Sequence, residues 1–129
     1  MKKMIALFKA LSDRNRLRVL AALTTHKELC ACQITELLQV AGATTSRHLG
    51  ILISAGLLES RKEGRWVYYR LNPLNTESAQ VMDMIRSEFE KSGAVLKDLR
   101  ALEEITACSP EILCRKQRGK ECCPNESQS

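Results

Sequence analysis

The sequence predicts a mainly α-helical domain with a small β-hairpin, organised as a homodimeric winged helix-turn-helix. Three observations predict it. Two short segments with apolar stripes meet at a Gly-containing turn, an alternating hairpin follows them directly, and a later stripe is too long for one small domain to cover.

Met4 to Leu11 reads as a short helix with Ile5, Leu7, Phe8 and Leu11 apolar. Ser12 or Asp13 is a suitable cap for the next helix, Arg14 to Thr25, which turns Leu17, Val19, Leu20, Ala21 and Leu23 inward. The alternation of Arg14, Arg16 and Arg18 does not fit one helical face, so these arginines are expected partly in solvent and partly toward phosphate. From Glu28 an apolar helical pattern runs to Val40 and turns at Ala41-Gly42-Ala43. A second runs from Thr44 to Ala55, with Thr44, Thr45, Ser46, Arg47 and His48 as its polar, DNA-facing residues. Leu37, Leu38 and Val40 in the first, and Leu49, Leu52 and Ile53 in the second, recur at three-to-four-residue spacing, so each has one stripe to bury. Two such helices at a tight turn describe a helix-turn-helix.

Leu57 to Lys62 and Trp66 to Leu71 alternate as strands joined at Glu63-Gly64-Arg65, which makes the wing. Its tip would carry Lys62 and Arg65 to the DNA backbone or minor groove, against the bland alternative of a solvated turn. From Thr76 to Ile105 the residues Val81, Ile85, Phe89, Leu96, Leu99 and Leu102 recur at helical spacing. Thirty helical residues would span roughly 45 Å, too long to bury on this domain. The surplus predicts a dimer interface through the first and last helices, although Gly93 leaves open a split in two. Residues 1–105 are thus expected to form the DNA-binding and dimerisation domain. Residues 106–129, with prolines, a basic run and Cys108, Cys114, Cys122 and Cys123, are expected to form a flexible tail.

The net charge is +5, and between Thr44 and Leu71 five basic residues face two acidic ones. That excess beside a helix-turn-helix favours double-stranded DNA as partner. No apolar run approaches the roughly 20 residues needed to span a bilayer, so no membrane contact is expected. The opening Met1-Lys2-Lys3 is not an export signal, which predicts a cytoplasmic protein with reduced cysteines that act as ligands or sensors.

Cys30 and Cys32 are the sharpest chemical signal. On a regular helix, residues two apart point about 200° apart, so both can grip one atom only if the backbone is non-helical there or becomes so on binding. Thiolates suit soft metals and metalloids, while a free cysteine is also a good small core residue; spacing alone leaves both readings open. Trivalent arsenic or antimony takes three thiolates in a shallow pyramid, whereas zinc wants four donors. Position 35 is Thr, so a third sulfur would come from Cys108, Cys114, Cys122 or Cys123. His26 is more readily a capping or solvated residue than a donor.

Together, Glu28-Leu29-Cys30-Ala31-Cys32, Ser46-Arg47-His48-Leu49, Ser54-Ala55-Gly56-Leu57 and Arg61 to Leu71 resemble the ArsR/SmtB family of bacterial repressors, in particular its arsenic-responsive members. The resemblance covers about Leu7 to Leu102. It implies a winged-helix homodimer that represses a resistance operon and leaves its operator on binding As(III) or Sb(III), with no organic cofactor. It places the first two thiolate ligands on Cys30 and Cys32, the recognition residues on Ser46, Arg47 and His48, and the wing on Lys62 to Trp66. The chain departs from the family at Thr35, where many arsenic-responsive members have a third cysteine. It departs again at Ala41-Gly42-Ala43, which lacks the usual Gln and Pro. No histidine lies between Thr76 and Ile105, which argues against the zinc site of related sensors.

Three rivals stand beside this reading. The same fold could sense Cd(II), Pb(II) or Zn(II), or a thiol-redox switch could pair Cys30 or Cys32 with a tail cysteine. A small thiol enzyme is disfavoured, because no Cys-x-x-Cys on a βαβ scaffold is present.

Overall fold

The computed structural model describes residues 1–73 and 76–117, of which 76–78 and 114–116 are described by backbone alone. Among the described residues seven helices and three strands follow one another as α1 (Lys2–Leu11), α2 (Arg14–Thr25), β1 (Leu29–Cys30), α3 (Ala31–Leu38), α4 (Gly42–Ser54), β2 (Leu58–Glu63), β3 (Trp66–Leu71), α5 (Thr76–Lys91), α6 (Gly93–Ala107) and α7 (Pro110–Gln117). This is a winged helix-turn-helix: α3 and α4 form the unit, and β2 and β3 form the wing.

Each boundary has a local cause. Asp13 caps α2, its carboxylate accepting from the amides of Asn15 at 2.8 Å and Arg16 at 3.1 Å. Arg16 donates to the Ala10 carbonyl at 2.9 Å and the Lys9 carbonyl at 3.1 Å, satisfying the last turn of α1. Arg18 forms a fork on Asp98, at 2.8 and 3.0 Å, and also donates to the Leu37 carbonyl at 3.0 Å. Arg16 and Arg18 are therefore half-buried braces within the domain, where they were expected partly in solvent and partly toward phosphate.

The turn between α3 and α4 also differs from expectation. Gln39, at φ 57°, takes the left-handed position that ends α3, and its side-chain amide donates to the Glu36 carbonyl at 2.7 Å. Gly42 is consequently the first residue of α4 and not part of the turn. In the wing, Glu63 pairs with Trp66 across Gly64-Arg65, with Gly64 at φ 62°.

Strand β1 was not foreseen. It joins the hairpin to make a sheet in the order β1-β3-β2, with Leu29 opposite Tyr69 and Cys30 opposite Tyr68. Two residues carry no alternation to read, and their partners lie far along the chain.

The long stripe divides at Ser92, whose hydroxyl accepts from the Val95 amide and starts α6. The expected tail contains α7, which begins Ser109-Pro110-Glu111; the Ser109 hydroxyl accepts from the Ile112 amide at 3.3 Å. Ile112 and Leu113 are buried, so residues 110–117 are packed helix where a flexible tail was expected. Residues 118–129, with Cys122 and Cys123, lie outside the described residues.

The core lies between α2, α3, α4 and α6, with Val19, Leu20, Ile34, Leu49, Leu52 and Leu102 almost wholly enclosed. Met4, Ile5 and Phe8 of α1, Met84 of α5 and Leu96 of α6 remain exposed. No described helix is long and apolar enough to cross a membrane.

Candidate functional site

Cys30 is the last residue of β1 and the cap of α3, in extended conformation at φ −84°, ψ 162°. Cys32 lies in the first turn of α3. Because the chain changes from strand to helix between them, the 200° divergence of a continuous helix does not apply. The two sulfurs meet at 2.8 Å, both buried. That is far longer than a disulfide bond of ~2.05 Å, so the contact is one sulfur's S–H directed at the other. Of the two alternatives the spacing left, a backbone non-helical from the start or one that becomes so on binding, the first holds: Cys30 is extended and the convergence is built in.

The surroundings favour charge on Cys30. The S–H of Cys32 bonds to its sulfur, burial opposes ionisation, and the amides of Gln33 and Cys32 at the helix start assist it. Together these lower the Cys30 thiol from 9.0 to about 7. A reciprocal cap holds the loop, with the Cys30 amide donating to Gln33 Oε1 at 2.8 Å and the Gln33 amide turned to the Cys30 sulfur.

Two elements close over this dithiol. On the wing side Cys30 pairs with Tyr68, which itself pairs with Arg61 on β2. Arg61 bonds to the Glu28 carboxylate and lies 4.7 Å over the Tyr68 ring. On the other side Cys32 Sγ is 3.5 Å from the Pro110 carbonyl oxygen, and Gln117 Nε2 donates to the Cys32 carbonyl at 2.7 Å. Thr35 is buried on α3. Among the described residues no cluster of three His, Cys, Asp or Glu side chains could hold a metal ion. Of the other cysteines, Cys108 ends α6 and is disulfide-bonded, and Cys114 lies on α7.

The second surface is α4 with the wing. Ala43, Ser46, Arg47, Gly50 and Ser54 are exposed along one side of α4, and Thr44 is half-buried. Thr45 and His48 are corrected as surface contacts: both are buried, because they share the inward side with Leu49 and Leu52. Thr45 Oγ1 donates to the Ala41 carbonyl, and His48 Nδ1 lies 3.2 Å from Arg16 Nη1. Burial lowers the His48 pKa; Asp13 pulls it up, while Arg16 and Arg47 push it down further. Arg61 and Arg70 are matched by Glu28 and Glu59, whereas among the described residues Arg47 and Lys62 form no ion pair. Arg65, at the wing tip, stacks 5.1 Å over Trp66 and lies 3.6 Å from Glu111 on α7. Ala43 and Gly50 were not singled out from the sequence, although both lie on the side of α4 away from Leu49 and Leu52.

Comparison with known proteins agrees with this architecture. Residues 13–60 match the family described as bacterial regulatory protein, arsR family. The chain is 40% identical over 97 residues to the arsenical resistance operon repressor of Escherichia coli K12, covering 74% of this chain and 83% of that one. It is 47% identical over 62 residues to the cadmium resistance transcriptional regulatory protein CadC of Listeria innocua, spanning about half of each, 48% and 52%. Among solved structures, the homodimeric winged helix-turn-helix domain Mb0332 of Mycobacterium bovis superposes with a TM-score of 0.60 at 27% identity, over 70% of this chain and 81% of that one. HlyU of Vibrio cholerae does so at 0.59 and 29%, over 67% and 90%.

Proposed function

This chain belongs to the arsR family of bacterial regulatory proteins, and from that premise we propose that it is a homodimeric, cytoplasmic repressor of an arsenic-resistance operon. It leaves its operator when As(III) or Sb(III) binds Cys30 and Cys32. The observation that carries this reading is the buried sulfur pair, 2.8 Å apart, at the junction of the wing sheet and the first helix of the DNA-binding unit.

The residues fit such an inducer. Two soft donors converge without rearrangement, and the Cys30 thiol is lowered to about 7, so a thiophilic metalloid meets a substantial fraction of thiolate near neutral pH. The signal has two short routes to DNA, along Cys30-Tyr68 into the wing and through α3 into α4. Operator contact is assigned to Thr44, Ser46 and Arg47 of α4 with Lys62 and Arg65 of the wing. Dimerisation is assigned to the exposed apolar side of α1 with the long helices that follow the wing. No enzymatic step is proposed.

Cys30→Ser and Cys32→Ser should each bind operator DNA as the parent does and no longer release it on addition of arsenite. Release retained in both variants overturns the ligand assignment. Release by cadmium, lead or zinc but not by arsenite replaces the inducer and leaves the repressor; release by peroxide alone makes the pair a redox switch.

A further inference from the structure

We infer that the open cleft between α1 and α4 seats a phosphate of the operator backbone, with Lys9 as a DNA contact outside the recognition helix and the wing. The inference rests on the functional reading above and extends the surface which that reading assigns to DNA.

The cleft has a volume of about 620 Å³ and is lined by Ala6 and Lys9 from α1, Arg16 from α2, and Arg47, Gly50 and Ser54 from α4. Three of these side chains are positive, and no acidic residue lines it. Among the described residues neither Lys9 nor Arg47 forms an ion pair. The carbonyls at the end of α1 would repel an anion, but they are covered: Arg16 donates to that of Lys9 at 3.1 Å and to that of Ala10 at 2.9 Å. Asp13, whose charge reaches Arg16, is turned to the α2 amides that it caps. What stands open to solvent on the two rims is positive charge, Lys9 on one and Arg47 on the other.

Continuity with the operator surface says what fills the cleft. Arg47, Gly50 and Ser54 are exposed on the side of α4 that also carries Ser46, so one wall of the cleft is a flank of the recognition helix. A helix about 10–12 Å across fills a major groove about 12 Å wide, so a phosphate backbone runs along each of its flanks. On this flank α1 is the neighbouring element, and Lys9 is the cation it offers. The two roles of α1 do not collide. At about 100° per residue, Ala6 and Lys9 centre roughly 120° around the helix from Met4, Ile5 and Phe8, so a partner copy on the apolar side need not cover the cleft.

The test is the salt dependence of DNA binding by the full-length protein. One probe is a duplex that the parent enriches from a random pool, and the other is a scrambled duplex of equal length. Each phosphate contact adds roughly 0.9 to the slope of log affinity against log salt, so Lys9→Gln, present in both copies, should flatten the slope by about 1.8. Over a roughly fourfold rise in salt the parent should then lose about tenfold more affinity than the variant. The preference between the two duplexes should stay the same, because a phosphate contact positions the protein without reading bases. Ala6→Glu, which puts a carboxylate into the cleft, should weaken binding to both duplexes and sediment with the parent's mass. An unchanged slope in Lys9→Gln overturns the inference, as does an Ala6→Glu protein that binds like the parent. So does a Lys9→Gln protein of half the parent's mass, which makes Lys9 a subunit contact. Failure of the functional reading looks different: the parent itself then enriches no duplex, and the cleft loses its occupant.

Discussion

Cys30 sits at φ −84°, ψ 162°, and this one extended residue ahead of a helix turns two alternate side chains toward each other. The consequence for protonation can be measured in the arsenite-free protein. An ordinary cysteine in the unfolded chain titrates near 9.0, and folding lowers Cys30 to about 7. Below 7 the thiol is protonated in both states and adds nothing; between 7 and 9 only the folded state releases the proton, so stability rises with pH and the full contribution is present above 9. The thiolate ultraviolet absorbance should therefore rise with a midpoint near 7, and Cys32→Ala, which removes the S–H that bonds to the Cys30 sulfur, should move it toward 9. An unmoved midpoint in that variant would show that the Cys32 S–H is not what holds the charge. Cys30 and Cys32 were legible as a pair because no other residues carry thiols at that spacing, but whether they converge was not. That depends on Tyr68, 38 positions later, drawing Cys30 into a strand.

At the scale of the element, α4 contains an unforced glycine. Gly50 lies within the helix, is exposed, and a Cβ built there meets nothing within 4 Å, so nothing in the fold requires it. Gly50→Ala should raise thermal stability by about 0.5–1 kcal/mol, since alanine loses less backbone freedom. Gly50 shares its side of α4 with Ser46 and Arg47, so the same methyl should weaken operator binding. A variant that is more stable and binds equally well would take this stretch off the DNA surface. Such opposite signs belong to the side of α4 that faces away from the core. Thr45 and His48 lie one turn before Leu49 and Leu52, so the side that buries the leucines buries them too, whichever residue begins the helix. Gln39 takes the left-handed position, one that favours glycine, so the true turn carried no glycine to mark it. α7, by contrast, was legible and passed over: Ser109-Pro110-Glu111 is a cap, a first-turn proline and an acid at the positive end of a helix. Basic and cysteine-rich composition masked it.

The whole molecule leaves an apolar surface that one copy does not cover. Met4, Ile5 and Phe8 project from α1, at 58%, 48% and 54% exposure, and recur at three- and four-residue spacing on one side of that helix. Sequence periodicity anticipated the surplus but placed most of it on a single long helix. Ser92 divides that helix, Leu102 and Leu99 turn into the domain core, and α1 carries the larger share. A winged helix-turn-helix reads one half-site, and two half-sites about 34 Å apart need two recognition helices held by a symmetric interface. Loss of the interface should therefore cost operator binding even with α4 and the wing intact. Phe8→Glu places a charge in the middle of the α1 surface, where each copy would meet the other's. The variant should sediment at half the parent's mass, keep the parent's helical circular dichroism, and show operator affinity reduced toward that of a single half-site. A Phe8→Glu protein that sediments unchanged would remove α1 from the interface and leave α5, with Met84 exposed, as the surface to test next.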